Sequence, residues 1–333
     1  MEYINVGSSG VKVSRLCLGA MMFGGATSSE DSIRIIDRAL DDGINFIDTA
    51  NGYNGGESEN IVGKALDGKR HKVVLVTKVA ANMGDWPNAG GLSRAHIMNE
   101  VDNSLRRLKT NYIDIYMLHR PDYSTPLNET IEAMGDLVKL GKVRYTGMSN
   151  HYAWQICSAL WIADQRNLAP VMCSQQLYNI VNRDIELEQL PFCQEHGVGM
   201  MVYSPLARGV LTGKYQLNQE LPEGSRAARG DSRIIETELR DESLDVAIKL
   251  KPLAERHGKS MSQFALNWIL GNPIITSVIV GPRTMEQYED NLGCLGWDID
   301  DEALKEIDRL VPPGEHTGWG FNDPITPVLG RPR

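Results

Sequence analysis

The sequence predicts an α/β fold, a (β/α)8 TIM barrel with an N-terminal β-hairpin. Three observations carry this. Eight short, β-branched, nearly continuous apolar runs recur along the 333 residues, as expected of strands buried on both faces of a parallel sheet. Helical stretches with apolar residues at i, i+3 and i+7 separate them. A doubly wound open sheet usually carries G-x-G-x-x-G after its first strand; here that place holds Gly19-Ala20-Met21-Met22-Phe23-Gly24-Gly25. Length alone does not decide, because barrels of about 200 to over 400 residues form one domain. The chain is therefore read as one domain, 1–333.

In order, residues 3–13, turning at Gly7-Ser8-Ser9-Gly10, read as a hairpin placed to cover the bottom of the barrel. The strand runs are 16–20, 46–48, 73–78, 113–119, 143–149, 171–175, 199–204 and 275–281. Ser28 and Asp31 form a capping-box pattern ahead of the stripe Ile33, Ile36, Leu40, and Gly43 stops that helix. Ser93 opens a helix through Ile97, Val101, Leu105 and Leu108, and another runs through Ile131, Met134, Leu137 and Val138 to Gly141. A later helix carries Val246, Leu250 and Leu253 before Gly258; Pro252 inside it is expected to kink or split it. Ser260 opens the next, through Phe264, Ala265, Trp268 and Ile269. Two segments stay irregular: a polar insertion, 216–241, containing Arg226, Arg229 and Arg233, and a C-terminal tail, 312–333. An insertion of that length is either a functional lid or disordered, and the lid is the reading taken.

With 34 basic and 43 acidic residues the net charge is −9, and the longest basic cluster is Lys69-Arg70-His71-Lys72. This argues against nucleic acid as a partner. The five cysteines, Cys17, Cys157, Cys173, Cys193 and Cys294, are widely spaced without a C-x-x-C pair, so reduced thiols in a cytoplasmic protein are expected. The N-terminus lacks a basic segment followed by an apolar stretch. No apolar run approaches the about 20 residues that cross a bilayer, so no membrane partner is expected.

Reactive groups of a barrel collect at the carboxyl ends of its strands. Asp48, Lys78 and His119 close the second, third and fourth runs, and Tyr53 lies in the loop after Asp48. Each alone has a structural explanation; together on adjacent strands they suit proton delivery. A phenol has a reference pKa near ~10 and is a poor acid at neutral pH. A neighbouring ammonium lowers that value, and a carboxylate keeps the ammonium charged. An imidazole can donate to an oxygen where negative charge develops. Tyr53 is thus read as general acid, Lys78 as its tuner, Asp48 as the orienting anion and His119 as the donor that positions a carbonyl. A metal site is not expected, since only Asp48 and His119 are natural ligands there and catalytic zinc normally takes three.

The segments Phe46-Ile47-Asp48-Thr49-Ala50, Tyr53 with Gly55-Gly56-Glu57-Ser58-Glu59, Val76-Thr77-Lys78 and Leu118-His119-Arg120-Pro121-Asp122 have a familiar order. So do Gly141-Lys142-Val143-Arg144, Gly147-Met148-Ser149-Asn150, Gln175-Gln176-Leu177-Tyr178-Asn179, Tyr203-Ser204-Pro205-Leu206 and Gly281-Pro282-Arg283-Thr284 with Gln287 and Asn291. On these segments the chain resembles the aldo-keto reductase superfamily from Gly19 to about Leu292, closest to its aryl-aldehyde and sugar reductase branch. The resemblance implies that Asp48, Tyr53, Lys78 and His119 are a catalytic tetrad in an NADP-dependent oxidoreductase that reduces aldehydes and ketones. It also implies a nicotinamide cofactor across the barrel mouth. Ser149, Asn150 and Gln175 would bond the carboxamide, and Tyr203 would stack on the ring. Ser204, Pro205, Leu206, Gly209, Leu211 and Lys214 would line the pyrophosphate; Gly281, Arg283, Gln287 and Asn291 would hold the adenosine end. Arg283, whose guanidinium fork suits a 2′-phosphate, favours NADPH/NADP+ over NADH. Met22, Phe23, Trp86, Trp319 and Phe321 are candidate walls for a small-molecule carbonyl substrate. Two alternatives stay open, an NADP(H)-binding redox-sensing subunit with little turnover and an alcohol or sugar dehydrogenase working in the opposite direction.

Overall fold

In the structure, a computed structural model describing residues 1–319 and 323, eight parallel strands close on themselves. They are β3 (Leu16–Gly19), β4 (Phe46–Asp48), β5 (Val74–Val79), β6 (Ile113–Leu118), β7 (Val143–Ser149), β8 (Val171–Leu177), β9 (Gly199–Tyr203) and β10 (Ile275–Val280). Each pairs with its sequence neighbours, and β10 pairs with β3 to seal the ring. Apart from Arg144 at the start of β7, none of their residues is exposed, which explains why the runs read as nearly continuously apolar. Outward side chains pack under the helices, and an inner cluster including Cys17, Phe46, Val76, Ile115, Met117, Cys173 and Met201 fills the barrel.

The hairpin β1 (Tyr3–Asn5) and β2 (Lys12–Ser14) pairs Tyr3 with Ser14. Its Val6 and Val13 join the inner cluster, and Ser8 N donates to Gly197 O. Gly7 permits this seat: its φ is +52°, and a Cβ there would lie 2.2 Å from Gly197 O. The hairpin therefore closes the amino-terminal end of the barrel and leaves the carboxyl-terminal end open.

The helices are α1 (Ser29–Asp41), α2 (Glu57–Ala65), α3 (Arg94–Arg107), α4 (Leu127–Lys139), α5 (Ala153–Gln165), α6 (Gln189–Glu195), α7 (Ser232–Glu236), α8 (Asp241–Arg256), α9 (Met261–Leu270), α10 (Met285–Leu292) and α11 (Asp301–Leu310). Ser28, Ser93 and Ser260 cap α1, α3 and α9 through their side-chain oxygens, each accepting from the backbone N–H three residues on. Pro252 does not split its helix: α8 runs unbroken through it. Pro252 lies on the exposed face, and the carbonyl it leaves without a donor belongs to Ile248, itself 41% exposed, where water can satisfy it. No helix among the described residues is long and apolar enough to cross a membrane.

The insertion 216–241 has little regular structure beyond α7, yet side chains tie it down. Arg208 pairs with Glu238 at 2.8 Å and Arg226 with Asp231 at 2.7 Å. Tyr215 Oη accepts from Ala227 N, and Arg233 pairs with Asp323 of the tail at 2.9 Å.

Candidate active site

Three strand ends and one turn bring together the four residues expected to form a tetrad. Asp48 ends β4 and Lys78 lies one residue from the end of β5, both buried. The Lys78 ammonium has three donors, and each finds an acceptor: Asp48 Oδ2 at 2.6 Å, Thr49 O at 2.9 Å and Tyr53 Oη at 3.1 Å. Asp48 Oδ1 accepts from Gln175 Nε2 at 2.8 Å. Because Tyr53 Oη accepts from Lys78, its own proton is free to point elsewhere. Tyr53 opens a 3-10 turn (Tyr53–Gly56) in which Asn54 adopts φ 49°, and Asn54 Nδ2 donates to Met21 O and Phe23 O. That side-chain bonding offsets the cost of a left-handed non-glycine residue. His119 follows β6 and meets the Tyr53 ring edge to face, with centroids 5.6 Å apart.

Burial dominates the electrostatics. It raises the Tyr53 phenol above its ordinary value, and Lys78 offsets only part of that rise. The sequence argument that the ammonium lowers the phenol is right about the sign of the Lys78 contribution but not about the net shift, because desolvation is larger. Burial also pulls the Lys78 ammonium down, yet Asp48 and Tyr53 together raise it above its usual value, so it stays charged. His119 is lowered to about 3 by burial, then by the positive charges of Lys78 and Arg120, so the imidazole is neutral near pH 7.

Asp48, Tyr53 and His119 open into a cavity of about 440 Å³, while Lys78 sits sealed beneath it. Ser149, Asn150, Gln175 and Tyr203 line the cavity too. Tyr203 Oη donates to Asn150 Oδ1 at 2.7 Å, and Asn150 Nδ2 donates to His119 O at 2.8 Å. Ser204, Pro205, Leu206 and Gly209 continue the wall along a loop where Ser204, Ala207 and Arg208 all have φ near +50° (52°, 45° and 52°). Leu211 does not line the cavity; it is fully buried in the core outside the barrel.

The far end holds Lys214, Gly281, Arg283, Gln287 and Asn291. Three arginines of the insertion also line the cavity, Arg226, Arg229 and Arg233, which the sequence reading placed in a lid without a ligand role. Burial lowers Lys214, followed by the charges of Arg283, Arg229 and Arg226; Arg283 is lowered by burial and then by Arg229. Arg226 has Asp231, but no carboxylate among the described residues forms a salt bridge with Lys214, Arg229 or Arg283. Like charges converging without counterions make a site for a polyanion.

The candidate substrate walls separate. Met22 lines the cavity, and so does Met21, which the sequence reading overlooked. Phe23 does not: the turn after β3, closed by Phe23 N donating to Ala20 O, points its ring into the core, where it is completely buried. Trp86, 62% exposed, lies against Gly84 of its own loop, and Trp319 is fully exposed; neither lines the cavity. Phe321 falls outside the described residues. Phe23→Ala should therefore cost about 3–5 kcal/mol of stability by opening a core cavity, with little change in KM for a carbonyl substrate. A large KM increase in a variant of native stability would return Phe23 to the substrate wall.

The model of the aldo/keto reductase family matches residues 15–312. An uncharacterized oxidoreductase, YrpG, of Bacillus subtilis is 39% identical over 330 residues, covering 95% of this chain and 98% of its own. A probable voltage-gated potassium channel subunit beta of Arabidopsis thaliana is 38% identical, covering 88% and 90%. Versiconal hemiacetal acetate reductase of Aspergillus parasiticus is 33% identical, covering 96% and 99%. A family model spanning nine-tenths of the sequence, with relatives matched nearly end to end over the same barrel, leaves one conclusion: the chain belongs to the aldo/keto reductase family.

Proposed function

We propose that this oxidoreductase reduces aldehydes and ketones to alcohols with NADPH, Tyr53 acting as general acid. The observation that carries the reading is the chain Asp48–Lys78–Tyr53, buried at its base and opening beside His119 into one cavity with a cationic far end. The donor set fits the cofactor: three cations, Lys214, Arg229 and Arg283, without carboxylate partners among the described residues suit its phosphates, and Ser149, Asn150 and Gln175 present amide and hydroxyl groups where a carboxamide would lie. Bound there, NADPH supplies the hydride that the carbonyl carbon accepts.

The protein's residues do the rest. Neutral His119 donates one N–H to the carbonyl oxygen and fixes its place beside Tyr53. As negative charge grows on that oxygen, Tyr53 gives up its proton, and the phenolate left behind faces the Lys78 ammonium at 3.1 Å. Lys78, already bonded to Asp48, does not move to meet that charge. Met21 and Met22 beside the tetrad favour apolar aromatic or aliphatic carbonyl compounds. NADH is the alternative coenzyme, and oxidation of a hydroxyl group would use the same residues in reverse. The free thiols of all five cysteines support a reducing, cytoplasmic setting.

The similarity to a probable potassium channel subunit favours a second reading, an NADP(H)-holding subunit with little turnover. NADPH consumption over a panel of aldehydes and ketones separates the two. Turnover on at least one compound supports the reductase; tight NADPH binding with none across the panel supports the subunit. The pH profile adds a check. With His119 lowered to about 3, it stays neutral between pH 5 and 7, so activity there should show no acidic limb belonging to it. A limb in that range that disappears in His119→Gln would contradict a neutral donor.

A further inference from the structure

We propose that Glu59, with Ser58 beside it, is a positioning residue that holds Tyr53 against Lys78. The inference rests on the reading of Tyr53 as proton donor. Tyr53 opens the turn that runs straight into α2, so its place depends on where that helix begins. Two of the first three residues of α2, Ser58 and Glu59, are polar and fully buried.

Each reaches a different strand end. Ser58 Oγ donates to Ala20 O at 2.7 Å and is 2.8 Å from Thr49 Oγ1, which then serves as the donor. Thr49 is also the residue whose carbonyl accepts from Lys78. Glu59 Oε1 accepts from Thr77 Oγ1 at 2.5 Å, and Thr77 directly precedes Lys78 in β5. Glu59 Oε2 accepts from Arg107 Nε at 2.6 Å, and Arg107 is held in turn by Glu100. Arg107 also packs against Gly56, the end of the Tyr53 turn. A Cβ on Gly56 would stand 2.8 Å from Arg107 Cδ, and its φ is +96°.

One buried carboxylate is therefore bonded to the strand carrying Lys78 and, through the backbone, to the turn carrying Tyr53. A buried ion pair adds little stability over an apolar pair of the same volume. What this one adds is direction, since Glu59 binds Thr77 only at one rotation and height of α2. Around the phenol stand Lys78, Asp48, His119 and Arg208, and among the described residues only Lys78 bonds it. Loosening α2 breaks that bond first.

The test uses Glu59→Gln and Thr77→Val, the second removing one hydroxyl while keeping the side-chain shape, so that a folded variant is in hand if the first fails to fold. Phenolate absorbance is followed against pH in each variant, with the matching Tyr53→Phe protein subtracted to isolate Tyr53. The Tyr53 titration should move up by about one pH unit as Lys78 draws away. The kcat should fall about tenfold or more, with NADPH affinity within about twofold of native. A lowered melting temperature with an unmoved titration and native kcat would make the network merely structural and overturn the proposal. The titration reports the contact whether or not a carbonyl is reduced: a shifted titration in a chain that turns over nothing keeps this inference and removes the reductase reading.

Discussion

Tyr53→Phe should lower turnover of a reactive aromatic aldehyde by about 10²–10⁴-fold, the range expected for loss of a positioned general acid. NADPH affinity should stay within about threefold. The substitution removes one oxygen from a ring held edge-on against His119, so the cavity keeps its shape. What disappears is the hydroxyl bonded to the Lys78 ammonium. Lys78 retains Asp48 and Thr49 as acceptors, which keeps its charge satisfied and limits the effect on folding. The measurement is NADPH oxidation by native and variant protein, with cofactor binding followed separately by fluorescence. Equal rates in the two proteins would sink the assignment of Tyr53. A rate loss accompanied by lost cofactor binding would point instead to a damaged pocket.

The second large effect concerns coenzyme choice. Replacing Arg229 and Arg283 together by alanine should weaken NADPH binding by about 30–150-fold, taking about 1–1.5 kcal/mol for each partly exposed, charge-assisted hydrogen bond removed. NADH, which lacks the 2′-phosphate, should change by less than about threefold. The argument rests on geometry: both guanidiniums line the far end of the cavity, and Arg283 and Arg229 each donate to Gly224 O, at 3.4 and 2.8 Å, without a carboxylate between them among the described residues. Dissociation constants for both coenzymes, measured at one fixed ionic strength, check it. Equal weakening for NADPH and NADH would mean that the arginines serve the pyrophosphate or the structure of the insertion, not the 2′-phosphate.

The barrel was legible in the sequence because strands buried on both faces leave an unbroken apolar signature, and each of the eight runs is a strand with ends displaced by at most two residues. Three of the four residues proposed as a tetrad, Asp48, Lys78 and His119, were placed for a related reason. A barrel sends strand ends to one face, so a titratable residue closing an apolar run has few places to be; Tyr53, in a loop, was placed only by the resemblance and by its nearness to Asp48. Capping serines were equally plain, because a cap is decided within three residues. Side-chain direction in loops was not. Met21, Met22 and Phe23 are consecutive, yet two line the cavity and the third is core. Once β3 ends, no period of two carries the alternation onward. Leu211 turned inward for the same kind of reason, at a tight turn whose backbone geometry only packing dictates.

By itself, then, the sequence determined the strand order, the residues at the carboxyl ends and the helix starts, all of which depend on local pattern or on chemistry at a known place. Tertiary structure alone decided three further things. It brought Arg226 and Arg229 of the insertion to the same cavity as Arg283, more than fifty residues away in the chain. It allowed Pro252 inside an unbroken helix, because the carbonyl left without a donor faces outward. It also set the net shift of the Tyr53 phenol, since the pull of Lys78 is readable from two residue names but the opposing desolvation exists only once the barrel has closed around them.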